Sequence, residues 1–260
     1  MEACNSDLIA AKSDAEMEMD YQTASNSYIN KLRLVHPAGL ANNSTAFMIW
    51  NAALVTKAFL NKERLHKKFP EALKVLDVSS GNGYLSCCAA CMGAEVIATE
   101  FNLAYPLLEK NCEFNASVYT GRGNMRTVEY KWGDPAEVIG SLLQGSRIED
   151  LDIVIFSDLL FIAIRDDIED LFLNTILSVV PIESKAEIVF CFERRKYEHE
   201  DSFIARLALY FQIEERDVVK DGFISACRED PISGETEDFE LSLFYRNPAV
   251  RLLLLKRRRQ

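Results

Sequence analysis

Histidine is scarce in this chain, with three residues, and tryptophan scarcer still, with two. His36, His66 and His199 stand apart with none of the spacing of metal ligands, so no metal site is expected. Long apolar runs are also missing: nothing approaches the roughly 20 residues of a membrane helix, and no basic start leads into a short apolar stretch. Neither membrane insertion nor secretion is expected. Positive charge is in deficit, 29 Lys and Arg against 40 Asp and Glu, for a formal net charge of -11. That balance opposes a phosphate backbone, so nucleic acid is not the expected partner. The two dense basic clusters, Arg194-Arg195-Lys196 and the tail at 256–259, read as solvated strand ends. Seven cysteines, an odd number with Cys87 and Cys88 adjacent, make no disulfide framework. A reducing compartment follows, the cytoplasm first and the nucleus as the alternative. Cys88-Ala89-Ala90-Cys91 has no second C-x-x-C to complete a zinc site and sits in a small-residue helical pattern, where cysteine packs as a small hydrophobe.

What the chain does have is enough apolar residues, 48% of 260, to bury a sizeable core. Residues 1–27, rich in Ser, Asn, Ala and acids, read as a flexible acidic arm, and 28–260 as one domain, expected to be a monomer. Apolar residues recur at helical spacing over 47–69. Short apolar strands then alternate with helices: strands at 74–78, 95–99, 126–131, 152–157, 187–192 and 211–218, helices at 83–92, 103–114, 135–143, 168–180 and 199–209. Such alternation predicts an α/β fold, doubly wound, with a mostly parallel sheet covered on both faces. After 211 the helices stop, and a further strand at 239–245 or 250–255 would close the sheet with an antiparallel pair.

The segment Val75-Leu76-Asp77-Val78-Ser79-Ser80-Gly81-Asn82-Gly83 reads as a buried strand, a glycine-containing turn and a helix start, placed where a doubly wound sheet opens its ligand crevice. Gly81 and Gly83 allow close approach of the backbone to a nucleotide-like ligand. For a dinucleotide the third small position should be Gly or Ala, yet Ser86 stands there. Asp77 would repel a pyrophosphate and favour the cationic amino-acid half of S-adenosyl-L-methionine. Glu100, at the end of the second strand, can accept two ribose hydroxyls.

Several segments together resemble the seven-strand protein lysine methyltransferases of methyltransferase family 16, related to the methyltransferase-like 21 proteins. Phe47-Met48-Ile49-Trp50-Asn51-Ala52-Ala53 is similar to the family's V-W-D-A-A helix, and Leu76 to Gly83 to its L-E-L-G-A-G-T-G. Gly93-Ala94-Glu95-Val96 followed by Glu100 is similar to its G-A-x-V strand and terminal acid, and Trp132-Gly133 to its W-G turn. Phe156-Ser157-Asp158-Leu159-Leu160-Phe161 resembles its A-D-x-x-Y/F segment, and Glu193 to Phe203 its region after the fifth strand. The resemblance implies a seven-stranded Rossmann-like sheet, S-adenosyl-L-methionine as cofactor, and a folded protein carrying a lysine as substrate.

It further implies that Trp50, Asp77, Ser79, Ser80, Gly81, Gly83, Glu100, Trp132 and Ser157 bind the cofactor, with Asp158 and Phe161 at the acceptor. Asp158 is expected to capture and aim the amine, or else to cap the following helix, and Phe161 to form an apolar wall. Departures from the family pattern are Asn51 for Asp, Phe161 for Tyr, and Ser79-Ser80 for Gly-Ala. Ser79 is expected in an ordinary backbone conformation, with its side chain where close approach is needed. The alternatives are an NAD(P)-dependent oxidoreductase and a non-catalytic binding module of the same fold.

Overall fold

The structure is a computed structural model that describes residues 27–34, 45–66, 71–141, 147–224 and 249–259. The expected arm, apart from Ser27, and the candidate strand at 239–245 lie outside the described residues.

Among the described residues seven strands pair into one sheet: β1 (Lys74–Val78), β2 (Glu95–Glu100), β3 (Asn124–Glu129), β4 (Ile153–Ser157), β5 (Glu187–Glu193), β6 (Phe211–Arg216) and β7 (Val250–Arg257). Their order is β3-β2-β1-β4-β5-β7-β6. The first five pair in parallel, whereas β7 runs antiparallel to both β5 and β6. Because successive side chains of a strand point to opposite faces, Val75, Ile153, Ile155 and Val189 enter one core and Leu76, Val78, Val154, Phe156 and Phe190 the other.

The first core is covered by α1 (Asn51–Phe59), α2 (Tyr84–Cys91) and α3 (Tyr105–Tyr119); the second by α5 (Leu160–Arg165), α6 (Glu169–Val179) and α7 (Tyr197–Leu207), with the one-turn α4 (Glu137–Gly140) beside it. Cys87, Cys88 and Cys91 are buried in α2, and burial pushes the Cys87 and Cys91 thiols up. Rings of Phe156, Phe172, Phe190 and Phe203 pack together in the second core. Among the described residues no helix is long and apolar enough to cross a membrane.

Several boundaries differ from the periodic pattern, each for a tertiary reason. β3 begins two residues early because its register is set by β2, Glu95 opposite Asn124, and its chain leaves the sheet at Tyr130, whose amide still reaches Glu100 O at 2.9 Å. The expected helix at 199–209 starts at Tyr197, since the buried carboxylate of Glu200 accepts the amides of Arg195 and Lys196, both at 2.7 Å. α3 runs on to Tyr119, and the long first helix is α1 continued by a π-helical turn at Leu60–Arg64. α5 was not among the helices read from the periodic pattern and entered only as the helix that Asp158 would cap.

β1 lies between β2 and β4, so the chain leaves it in one direction across the sheet and later returns on the other side. A crevice opens at the carboxyl ends of such a pair.

Candidate active site

The turn that leaves β1 is held open by its backbone. Ser79, Gly81 and Gly83 all have left-handed φ values, 54°, 60° and 81°. At Gly81 an added Cβ would stand 2.8 Å from the backbone oxygen of Ala46, which rules out a side chain; at Gly83 the neighbour is the side-chain atom Leu108 Cδ1 at 2.7 Å, and the left-handed φ is what makes a substitution strained. Ser79 does not take the ordinary conformation expected of it. Its strained backbone is fixed by Thr99, whose buried hydroxyl accepts the Ser79 amide at 3.0 Å. The Ser79 hydroxyl accepts the Trp132 indole N–H at 3.0 Å, and that indole stacks on Phe172 with ring centroids 4.5 Å apart. Ser80 closes the turn: its amide reaches Thr99 O at 2.8 Å, and its hydroxyl lies 3.0 Å from Asp77 O and 3.1 Å from Thr99 O. Both serines therefore build the turn's internal bonds.

Two acids flank that turn with no cation paired to either among the described residues. Asp77 is 1% exposed and accepts the Ser86 hydroxyl at 2.5 Å; burial pushes its carboxyl up to about 7, with Ser86 pulling it down and Glu100 adding to the rise. The serine that spoils the dinucleotide pattern is thus the partner of Asp77. Glu100 accepts the amides of Gly81 at 2.7 Å and Phe101 at 3.0 Å, and burial holds its carboxyl at about 7 as well. Such groups are poised to be stabilised by a cationic or hydroxyl-rich ligand.

The end of β4 is arranged differently. Ser157 Oγ is buried with no hydrogen-bond partner among the described residues. Asp158, at φ 61°, receives both guanidinium nitrogens of Arg195, Nη1 on Oδ1 at 2.9 Å and Nη2 on Oδ2 at 2.8 Å, together with the Glu193 amide at 3.0 Å. It makes no side-chain cap for α5. The Arg195 guanidinium carbon lies 5.3 Å from the Trp50 ring centroid and 5.0 Å from that of Phe161. The Trp50 indole donates to Thr45 O at 2.9 Å. Phe161 is thus a face for charge as well as an apolar wall, and Arg165 lies on the same ring at 5.9 Å.

One cavity of about 560 Å³ brings together Trp50, Asp77, Ser79, Ser80, Gly81, Glu100, Trp132, Ser157, Asp158 and Phe161. Gly83 does not line it and faces Leu108 instead. Arg195, read from the sequence as part of a solvated strand end, lines the cavity with a side chain only 23% exposed. The signal that could have found it is the parallel register: with Ser157 opposite Cys191, residues just past β5 must lie beside residues just past β4. Apolar Met48, Phe101 and Leu103 also line the cavity and were not singled out. An uncompensated acid pair, an unpartnered Ser157 hydroxyl and aromatic walls suit S-adenosyl-L-methionine, which carries a sulfonium, an ammonium, ribose hydroxyls and an adenine.

Comparison with known proteins agrees with that donor set. A family model described as lysine methyltransferase matches residues 34–209. The chain is similar to protein N-lysine methyltransferase METTL21A of Xenopus tropicalis, 23% identical over 169 residues that cover 65% of this chain and 69% of the relative. It is also similar to the protein N-terminal and lysine N-methyltransferase efm7 of Aspergillus fumigatus, 28% identical over 120 residues, 44% of each chain. Among solved structures, the human methyltransferase 10 domain containing protein shares the fold with a TM-score of 0.50 at 10% identity, covering 95% of this chain and 98% of that one.

Proposed function

The chain belongs to the lysine methyltransferase family and uses S-adenosyl-L-methionine as its methyl donor, and from that premise we propose that it methylates the side-chain amine of a lysine in a folded protein. The observation that carries this reading is the junction, in one cavity, of the Asp77/Glu100 cofactor acids with the Trp50, Asp158 and Phe161 slot. The names of the relatives, which specify lysine, support it.

In this reading Glu100 accepts the ribose hydroxyls, Asp77 faces the cationic amino-acid half, and the turn of Ser79, Ser80 and Gly81 shapes the backbone around the ligand. Trp132, aimed by Ser79, packs against the adenine, and the Ser157 hydroxyl supplies a hydrogen bond near the transfer point. When bound, S-adenosyl-L-methionine supplies a methyl on a sulfonium; the amine lone pair forms the new N–C bond as the C–S pair stays on sulfur. The amine must be neutral to attack, and losing its proton costs about 4 kcal/mol near neutral pH. Trp50 and Phe161 offset part of that cost by excluding water and orienting the amine in line with the methyl. The net charge of -11 favours a target with a basic face. We place the enzyme in the cytoplasm, acting as a monomer.

The reading is tested by incubating the pure protein and methyl-labelled cofactor with an extract of cells lacking it, then mapping the label by mass spectrometry. Label on a lysine Nζ of one protein band is the expected result. Label confined to another residue type overturns the lysine assignment.

A further inference from the structure

The slot at the end of β4 already holds a cation belonging to the protein. Both oxygens of Asp158 are taken by Arg195, and Oδ1 accepts the Glu193 amide as well, so the carboxylate has little capacity left for a substrate ammonium. Its side chain is 5% exposed, a burial that an unpaired carboxylate would oppose strongly. Arg195 in turn lies against both aromatic faces of the slot, Trp50 and Phe161. A capture site for lysine ammonium would present a bare carboxylate between those rings, and this one presents a neutralised pair.

We propose that Arg195 sets the charge of the transfer slot: by cancelling Asp158 it denies a protonated amine its counter-ion and admits the acceptor in its neutral, nucleophilic form. The proposal deepens the amine-methylation reading and rests on it for the identity of the acceptor, but not for the charge of the slot. The described charged groups facing Arg195 are Asp158 after β4; Glu193 of β5, 3.2 Å away and also held by Asn51; and Glu200 of α7, already engaged by Arg194 and two amides. Arg165 of α5 is paired with Asp166, while Lys131, Asp77 and Glu100 line the same cavity. Asp158 and Arg195 thus cancel locally; removing Arg195 leaves Asp158 without its cation, and removing Asp158 leaves Arg195 with Glu193 as its carboxylate partner. Arg195 acts through Asp158 and is a positioning residue.

The charge can be read without an acceptor, because S-adenosylmethionine and S-adenosylhomocysteine differ by one methyl and the sulfonium charge. Titration calorimetry of both ligands is expected to show that Arg195→Gln raises the preference for S-adenosylmethionine about tenfold, the order of a unit charge acting over several ångströms in a partly screened site. Asp158→Asn, which removes one negative charge and leaves the guanidinium with Glu193 alone, is expected to lower the same preference, and Arg195→Lys to restore it. A merely structural role weakens both ligands alike, and an unchanged ratio in the variants overturns the proposal. Should Arg195→Gln not fold, the sign of the Asp158→Asn change decides. With the lysine acceptor in hand, Arg195→Gln is expected to need a pH about one unit higher for half-maximal rate; an unshifted midpoint also overturns it. A wild-type protein that binds both ligands yet labels no amine defeats the acceptor reading alone, and the ligand ratio still decides the role of Arg195.

Discussion

The turns that leave β1 and β4 both begin with a non-glycine residue in left-handed backbone, Ser79 at φ 54° and Asp158 at 61°, and both lie beside buried acids. They differ in how the charge is met. After β1, the donors to Asp77 and Glu100 among the described residues are a hydroxyl and two amides, and their carboxyls rise to about 7. After β4, Asp158 has a guanidinium on both oxygens. The first arrangement stores an electrostatic demand that a cationic cofactor can satisfy, and the second is already satisfied before any substrate arrives. One cavity thus has an end built to attract charge and an end built to be indifferent to it.

The sharpest way to break this contrast is to remove an acid from the demanding end. Glu100→Ala is expected to weaken S-adenosylmethionine binding about 100-fold, since two charge-assisted hydrogen bonds are lost and the Gly81 and Phe101 amides lose their acceptor. Titration calorimetry measures it, and a loss of under about threefold would remove Glu100 from the site.

A smaller effect follows from pH. The folded carboxyls of Asp77 and Glu100 titrate near 7, above their ordinary values of 3.8 and 4.5, so the fold binds these protons more tightly than the unfolded chain does. Their contribution to stability is full below about pH 4 and is lost as pH rises through about 7. Without ligand, the thermal midpoint should therefore fall between about pH 5 and pH 8, and Asp77→Asn should raise the midpoint at the upper pH by about 3 °C. Binding of the cationic cofactor near pH 6.5 should release protons, seen as heats that differ between buffers of unlike ionisation enthalpy. Heats independent of buffer would show that the acids do not meet the cation.

The smallest effect concerns the strained residue itself. Ser79→Ala keeps the left-handed strain and loses the Trp132 bond, for an expected cost of about 1 kcal/mol in urea unfolding. Ser79→Gly loses the same bond but relieves about 1 kcal/mol of strain, and should fall near the wild type. Equal stabilities for the two variants would mean that position 79 is not held left-handed.

Much of this was legible in the chain. Short continuous apolar runs, buried on both faces of the sheet, and flanking helical patterns are local signals, so the strands and the acids at their ends, Asp77, Glu100 and Asp158, could be found from the residues alone. The start of β3, the helix at Leu160–Arg165 and the capping of α7 by Glu200 were not legible, because each depends on a neighbouring element and not on the segment's own propensity. The same limit applies to the site. Ser79 looked like a departure that intrudes on the cofactor until its hydroxyl was seen to hold Trp132, 53 positions away.

By itself, then, the sequence determined most of the elements, their order and the acids at the strand ends, since those depend on apolar spacing and on residues adjacent along the chain. Which charge meets which was decided by the tertiary structure. Arg195 lies 37 positions from Asp158, and the parallel register of β4 and β5 sets the guanidinium against that carboxylate, while among the described residues Asp77 and Glu100 are left without one.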